Sequence, residues 1–155
     1  MKTLENEHGN SILLSTFLLL AMMTISLVIY TVCLVYAKYQ AAQVDLERAG
    51  SVSVDKSLEN NNVRDLELGI PAEMTHAALE ANLVNTGWEE VIPGTWAFGN
   101  GGQELYRVSG LSSAVNLGWM STSGVWSMPL PWLTDVLPSI QIPITVKSKV
   151  LYIDP

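Results

Sequence analysis

The sequence is poor in the residues from which most catalytic and metal sites are built. It has a single cysteine, Cys33, and two histidines, His8 and His76, in 155 residues. One cysteine excludes an intramolecular disulfide, and neither histidine belongs to a motif with zinc-ligand spacing. The adjacent acids Glu89 and Glu90 would point to opposite faces of a strand, so they would not share one acid–base site. The sequence therefore predicts no catalytic residue, no metal ligand, no cofactor and no enzymatic activity.

Basic residues are scarce as well. Eight Lys and Arg residues stand against 15 Asp and Glu residues, which gives a formal net charge of −7. Nucleic-acid binding depends on clustered Lys and Arg side chains that displace counterions from phosphates. The basic residues of this chain are scattered along the sequence, so the composition argues against a nucleic-acid partner.

Charged residues are absent altogether from residues 9–37, and residues 12–37 read ILLSTFLLLAMMTISLVIYTVCLVYA. A helix of these 26 residues would be ~39 Å long, whereas the hydrocarbon core of a bilayer is roughly 30 Å thick. A secretory signal peptide has a shorter core and a basic start, but here Glu5 and Glu7 precede the apolar run. The sequence predicts a leader segment over residues 1–10 and a transmembrane helix over residues 11–37, with the lipid bilayer as a partner.

The helix is predicted to continue beyond the membrane over residues 38–62. This segment contains no proline, and Ala42, Leu46 and Ala49 recur at spacings of four and three, as a narrow apolar stripe. Gly50 is the one glycine in the segment and weakens the signal for an unbroken helix, and the asparagines of residues 60–62 indicate its end. Small side chains let neighbouring helices approach closely. On that basis four residues are candidates for helix packing: Ala37, Ala41, Ala42 and Ala49.

The remaining residues, 63–155, are predicted to form an α+β head domain. Residues 71–87, PAEMTHAALEANLVNTG, indicate a second helix with Pro71 in its first turn and Gly87 just past its end. After Gly87 the composition favours strands. The GNGG of residues 99–102 predicts one hairpin turn, and Ser123-Gly124 predicts a second pair of short strands. Residues 140–147 alternate apolar and polar side chains, which predicts a strand with one buried face, at an edge or bulged near Pro143. The predicted fold class is thus a long N-terminal transmembrane helix, a second helix and a small antiparallel sheet.

Five tryptophans are many for a domain of this size. Packing in the core and on the sheet faces is one explanation for them. The other is an aromatic platform that binds a glycan or a protein partner. Three residues are candidates for such surface aromatic contacts: Trp119, Trp126 and Trp132.

Three segments resemble the TadE-like family of pseudopilins, minor components of tight-adherence pili and related type IV filament systems. They are EHGNSILLSTFLLL at the start, YAKYQAAQVDLERAGSVSVDKSL after the apolar run, and IPITVKSKVLYI near the end. The resemblance implies a pilin-like fold with a cytoplasmic N-terminus and the head domain outside the cytoplasmic membrane. It also implies contacts with like or related pilin subunits through the N-terminal helix, with pilus assembly machinery, and with a prepilin peptidase.

One feature departs from the type IV pilin pattern. The resemblance implies leader cleavage between Gly9 and Asn10, which would place Leu14 at the fifth mature position, where those pilins commonly have a glutamate. No carboxylate would then be available there to pair with the new amino group of a neighbouring subunit. Either the chain is not processed, or it enters an assembly without that ion pair.

Two functions from different classes remain open. The chain is either a pilin-like structural subunit of a cell-surface filament or secretion machine, or a single-pass anchored module whose Trp-rich domain binds a ligand outside the membrane. Continuation of the helix with small residues beyond the bilayer favours the subunit.

Overall fold

The computed structural model describes residues 4–60, 72–100, 103–116, 119–130 and 139–149. Two helices are followed by five strands, in the order α1 (Leu4–Asn60), α2 (Ala72–Asn85), β1 (Trp88–Ile92), β2 (Thr95–Asn100), β3 (Gln103–Asn116), β4 (Trp119–Pro129) and β5 (Ser139–Lys149). The strands form one antiparallel sheet with the order β1-β2-β3-β4-β5. The predicted α+β arrangement of a long apolar helix, a second helix and an antiparallel sheet is confirmed.

The chain divides into two compact units, Met1–Ala37 and Lys38–Pro155. The described part of the first unit is helical, and its apolar side chains are largely exposed in the isolated chain, for example Leu14 at 69% and Phe17 at 73%. Thr16 and Thr24 each donate a hydrogen bond to the carbonyl four residues earlier, at 2.9 Å. Their hydroxyl groups are therefore satisfied inside the helix, as an apolar surrounding requires. By length and composition, α1 is able to cross a membrane.

The sheet of the second unit is a simple meander. Strands β2 and β3 form a hairpin whose last described pair is Asn100 with Gln103, next to the predicted GNGG turn. The turn predicted at Ser123-Gly124 is wrong, because both residues lie inside β4, opposite Thr145 and Ile144 of β5. A Cβ atom on Gly124 would approach Val108 Cγ1 to 2.8 Å. This glycine therefore reflects a close approach between strands and not a reversal of the chain.

One face of the sheet packs against residues 38–60 of α1 and forms the core. The buried side chains from α1 include Ala42, Leu46, Ala49 and Val54. Those from the sheet include Tyr106, Val108, Met120, Trp126, Ile144 and Val146. Burying a large apolar side chain of this kind contributes roughly 1.5–3 kcal/mol. Residues 38–60 of α1 are thus an integral part of the core of the second unit.

Helix α2 is joined to α1 by buried polar side chains, and its Leu79 and Leu83 are fully buried. Asn82 Nδ2 donates to Ser53 Oγ at 3.0 Å, and the Ser57 and Thr75 hydroxyls share a hydrogen bond of 3.0 Å. The helix ends at Asn85, and Gly87 follows with φ of 90°. Such a backbone favours glycine after a helix, so the predicted end of α2 is confirmed.

Strand β5 forms one edge of the sheet, and it shows the predicted alternation. Ile144 and Val146 are buried, whereas Thr145 and Lys147 between and after them are exposed. Pro143 has no N–H group to donate. It pairs with Val125 of the neighbouring strand β4 and belongs to this edge strand. The prediction of an edge position for Pro143 is confirmed.

Candidate functional site

The four alanines proposed for helix packing do not lie in equivalent surroundings. Ala42 is fully buried and Ala49 is 2% exposed, because the sheet of the same chain covers them. Ala37 and Ala41 are exposed. The expectation that all four could face a neighbouring helix is therefore corrected for Ala42 and Ala49. Periodicity identified the stripe Ala42, Leu46 and Ala49, but it could not tell whether that stripe packs within the chain or between chains.

The side of α1 turned away from the sheet carries a different set of residues. Val44 is 61% exposed and Val52 is 39% exposed, and Ala41 lies three residues before Val44 on the same side. Positions 41, 44 and 52 follow helical spacing, so they form one stripe. We call these three residues the outer stripe. Among the described side chains of residues 38–57, it is the apolar surface that the second unit leaves uncovered on α1.

Tyr39 links the start of this helical segment to β4 and β5. Its ring meets Trp126 edge to face, with centroids 5.6 Å apart and an interplanar angle of 88°. Its hydroxyl donates to the Pro143 carbonyl at 3.2 Å and accepts from Gln43 Nε2 at 3.4 Å. Aromatic edge-to-face pairs stabilise by roughly 0.5–1.5 kcal/mol beyond the area they bury. Tyr39 therefore fixes α1 to the edge strand of the sheet.

Asp45 is the one acidic side chain of the described residues whose pKa is clearly displaced. Partial burial raises the pKa of Asp45, while the nearby Arg48 and the Trp88 indole both act to lower it. The Trp88 N–H makes no hydrogen bond of ordinary length and angle among the described residues, so its effect on the pKa of Asp45 is weak. Burial, and secondarily the charge of Asp45, also raise the pKa of Tyr106.

The tryptophans fall into two classes. Trp88, Trp96 and Trp126 are buried in the core, at 1%, 3% and 0% exposure. Trp126 is therefore a packing residue, which corrects its selection as a surface contact. Trp119 is half-buried, and Lys147 Nζ lies 5.4 Å from the centroid of its ring. Trp132 lies outside the described residues.

The sheet face opposite α1 is polar and carries Trp119. Alternate residues of β4 point to this face, and their cross-strand partners on β3 and β5 share it. We call it the open face, and its side chains include Ser112, Ala114, Trp119, Ser121, Ser123, Val125, Thr145, Lys147 and Lys149. The Ser112 and Ser123 hydroxyls lie 3.0 Å apart. The sequence could not place Lys147 beside Trp119, because that contact depends on the register between β4 and β5.

The described residues contain no cluster of three or more His, Cys, Asp or Glu side chains that could hold a metal ion. His76 Nδ1 lies 3.2 Å from Glu80 Oε1 on the exposed side of α2. This is an ordinary pair one helical turn apart. The backbone of Gly9 and Asn10 belongs to α1.

Comparison with known proteins adds no relative from which a function could be transferred. No protein-family model, curated protein or solved structure matches this chain. The resemblance to TadE-like pseudopilins therefore rests on the three sequence segments alone. The geometry identifies two candidate surfaces in the second unit, namely the outer stripe of α1 and the open face of the sheet.

Proposed function

We propose that this chain is a pilin-like structural subunit, a minor pilin or pseudopilin, of a cell-surface filament or of a secretion or adhesion machine. The observation that carries the proposal is the outer stripe. Val44 and Val52 lie beyond the apolar run of residues 9–37, yet they are exposed on α1. The sheet already covers the opposite side of this helical segment, so the stripe remains accessible to the helix of another subunit.

The length of α1 supports the same function. A membrane anchor needs a crossing of about 20 residues, whereas α1 has 57. Residues 38–60 both pack in the core of the second unit and carry the outer stripe. Small and β-branched side chains on the outer stripe allow close contact between helices. The proposed partners are the bilayer, like or related subunits that pack through α1, and the assembly machinery and prepilin peptidase implied by the TadE-like resemblance. In this proposal the N-terminus is cytoplasmic and the second unit lies outside.

The second candidate is a single-pass anchored module that binds a ligand and stays monomeric in the membrane. The half-exposed Trp119 beside Lys147 on the open face favours it. The two candidates differ in whether α1 contacts another copy beyond the bilayer, and this difference can be measured directly.

The deciding experiment is photocrosslinking of two differently tagged copies in native membranes. A photoreactive amino acid replaces Val44 in one copy, and Ser112 on the open face is the matched exposed control. The subunit proposal predicts that crosslinks join the two tags from position 44 and that crosslinking from position 112 is much weaker. If position 44 gives no crosslink between tags at normal expression, the anchored module is favoured.

A further inference from the structure

Charge is unevenly distributed between the two parts of the second unit. Strands β3, β4 and β5 contain one acidic residue, Glu104, which forms an ion pair with Arg107, and two further basic residues, Lys147 and Lys149. The chain as a whole has a net charge of −7. Strands β3, β4 and β5 therefore carry a locally basic surface on an acidic protein, and such a surface attracts anionic ligands.

The basic side chains of this surface lie together with the half-exposed tryptophan. Lys147 Nζ is 5.4 Å from the centroid of the Trp119 ring, and Lys149 is the cross-strand partner of Trp119. Lys147 is in turn the cross-strand partner of Ser121. Within the described part of the chain, neither lysine forms an ion pair with a carboxylate. Two ammonium groups and one indole thus occupy one end of the open face.

Hydroxyl groups line the rest of the open face. Ser121 and Ser123 follow Trp119 along β4, and Thr145 stands opposite Ser123. A serine or threonine hydroxyl both donates and accepts hydrogen bonds. From Trp119 to Val125 the strand rises by ~20 Å, and three adjacent strands are ~10 Å wide. The open face is therefore an elongated strip that would suit an extended polymer.

The composition of the strip distinguishes between kinds of ligand. Protein interfaces are depleted in serine and lysine relative to the rest of the surface. Attachment to a lipid surface needs a row of apolar side chains that insert among the acyl chains. The open face has hydroxyl groups at most of its central positions, and its exposed aliphatic residues, Ala114 and the cross-strand pair Val125 and Pro143, do not form a continuous row. A polyhydroxylated, negatively charged ligand matches it best.

We infer that the open face binds an acidic polysaccharide, a polymer with carboxylate groups, extended along β4. The Trp119 ring would stack on the apolar C–H face of one sugar, as its flat apolar surface allows. Lys147 and Lys149 would pair with carboxylates, and Ser121, Ser123 and Thr145 would exchange hydrogen bonds with sugar hydroxyls. Binding is non-covalent, and it goes beyond the proposed subunit function because a single copy suffices.

The test uses the full chain in detergent micelles, with polygalacturonate as the probe and neutral dextran as its uncharged control. We expect saturable binding to polygalacturonate, which weakens at high salt because the lysines are exposed. Trp119→Ala should weaken this binding about 3- to 10-fold. The pair Lys147→Gln and Lys149→Gln should weaken it about fivefold at low salt. The matched pair Lys38→Gln and Lys56→Gln removes the same charge elsewhere and should leave binding within about twofold of wild type.

Several results would overturn the inference. They are no binding to polygalacturonate, equal binding to dextran, or equal losses from both lysine pairs. The double variant Lys147→Gln and Lys149→Gln provides a further such result. If it loses crosslinking between copies but still binds polygalacturonate normally, the open face is a protein interface. Thermal unfolding of each variant identifies any loss of fold. If Trp119→Ala unfolds, the substitutions at the exposed Lys147 and Lys149 still test the inference. Because binding is measured on single copies in micelles, its failure leaves the assembly proposal unaffected.

Discussion

Gly50 of α1 lies directly against Ser148 of β5. A Cβ atom at position 50 would collide with the Ser148 hydroxyl and would lie 3.0 Å from Ser148 Cβ. Ser148 Oγ donates a hydrogen bond to the carbonyl of Glu47, one turn earlier in the helix, at 3.1 Å. The glycine that weakens the helix signal in the sequence is thus a position where the edge strand approaches α1 closely.

This contact predicts that Gly50→Ala destabilises the second unit although it improves helix propensity. Alanine would gain about 1 kcal/mol in a helix interior, but overpacking a closed contact costs ~1–3 kcal/mol. We expect a net loss of about 1 kcal/mol, measured by urea unfolding of the full chain. All five tryptophans lie in residues 88–132, so their fluorescence reports on the second unit.

The control for this prediction is the same substitution in a Ser148→Gly background. Removing the Ser148 side chain removes the collision, so Gly50→Ala should there become neutral or stabilising. An equal loss of stability in both backgrounds would show that the contact with Ser148 does not determine the cost.

The adjacent residues Ala41 and Ala42 provide a matched pair for separating folding from assembly. Ala42 is fully buried beneath the sheet, whereas Ala41 is exposed on the outer stripe. We expect Ala42→Phe to destabilise the second unit by ~1–3 kcal/mol or more. Ala41→Phe should leave the unfolding free energy within about 0.5 kcal/mol of wild type. In membranes, Ala41→Phe should still reduce photocrosslinking from position 44 between tagged copies.

The two measurements are needed together for this pair. Normal crosslinking by a folded Ala41→Phe variant would argue against packing through the outer stripe. A stable Ala42→Phe variant would contradict the position of α1 under the sheet.

Much of this fold could be predicted from the sequence because its signals are local. The charge-free run, the end of α2 at Gly87 and the alternation along β5 each follow from periodicity or from the backbone preference of one residue type. What could not be predicted depends on contacts between distant segments. Gly50 and Gly124 look like a helix defect and a turn, yet each marks a close approach to a side chain far along the chain.

The candidate surfaces show the same limit. A helical stripe of Ala42, Leu46 and Ala49 is apolar whether it meets its own sheet or a neighbouring helix, and only the tertiary fold decides between them. Composition likewise could not separate Trp126 from Trp119, because both lie on β4 and differ only in the face to which they point. The outer stripe was missed because Val44 and Val52 lie outside the alanine pattern.

The polar contacts between α1 and α2 predict a strong effect from an isosteric change at Asn82. Ser53 Oγ donates to the Ala49 carbonyl at 2.5 Å, so it must accept the hydrogen bond from Asn82 Nδ2. A carboxylate can only accept, so Asn82→Asp would place two acceptors against each other in a buried position. We expect a loss of about 1–3 kcal/mol at neutral pH, measured by urea unfolding.

Lys56 allows a control for this prediction, because its Nζ lies 3.3 Å from Asn82 Oδ1 and would still face a carboxylate there. In a Ser53→Ala background the repulsion disappears while the contact with Lys56 remains. Asn82→Asp should then cost much less, and an unchanged cost would mean that the Ser53 hydroxyl is not the cause.

The last prediction concerns the pH dependence that Asp45 contributes to stability. Burial raises the pKa of Asp45 in the folded state above the value of about 3.9 that an unfolded chain has. Between these two values the folded state binds more protons than the unfolded state, so stability falls as pH rises. The contribution of Asp45 is therefore fully present below about pH 4 and is lost as pH rises through the folded-state pKa. The side chain in Asp45→Asn cannot titrate, so the unfolding free energy of wild type minus that of the variant should decline from about pH 4 to pH 7.

The control is Glu47→Gln, which makes the same charge change at an exposed position two residues along. A difference that rises with pH would mean that Arg48 and Trp88 stabilise the ionised Asp45 more than burial disfavours it.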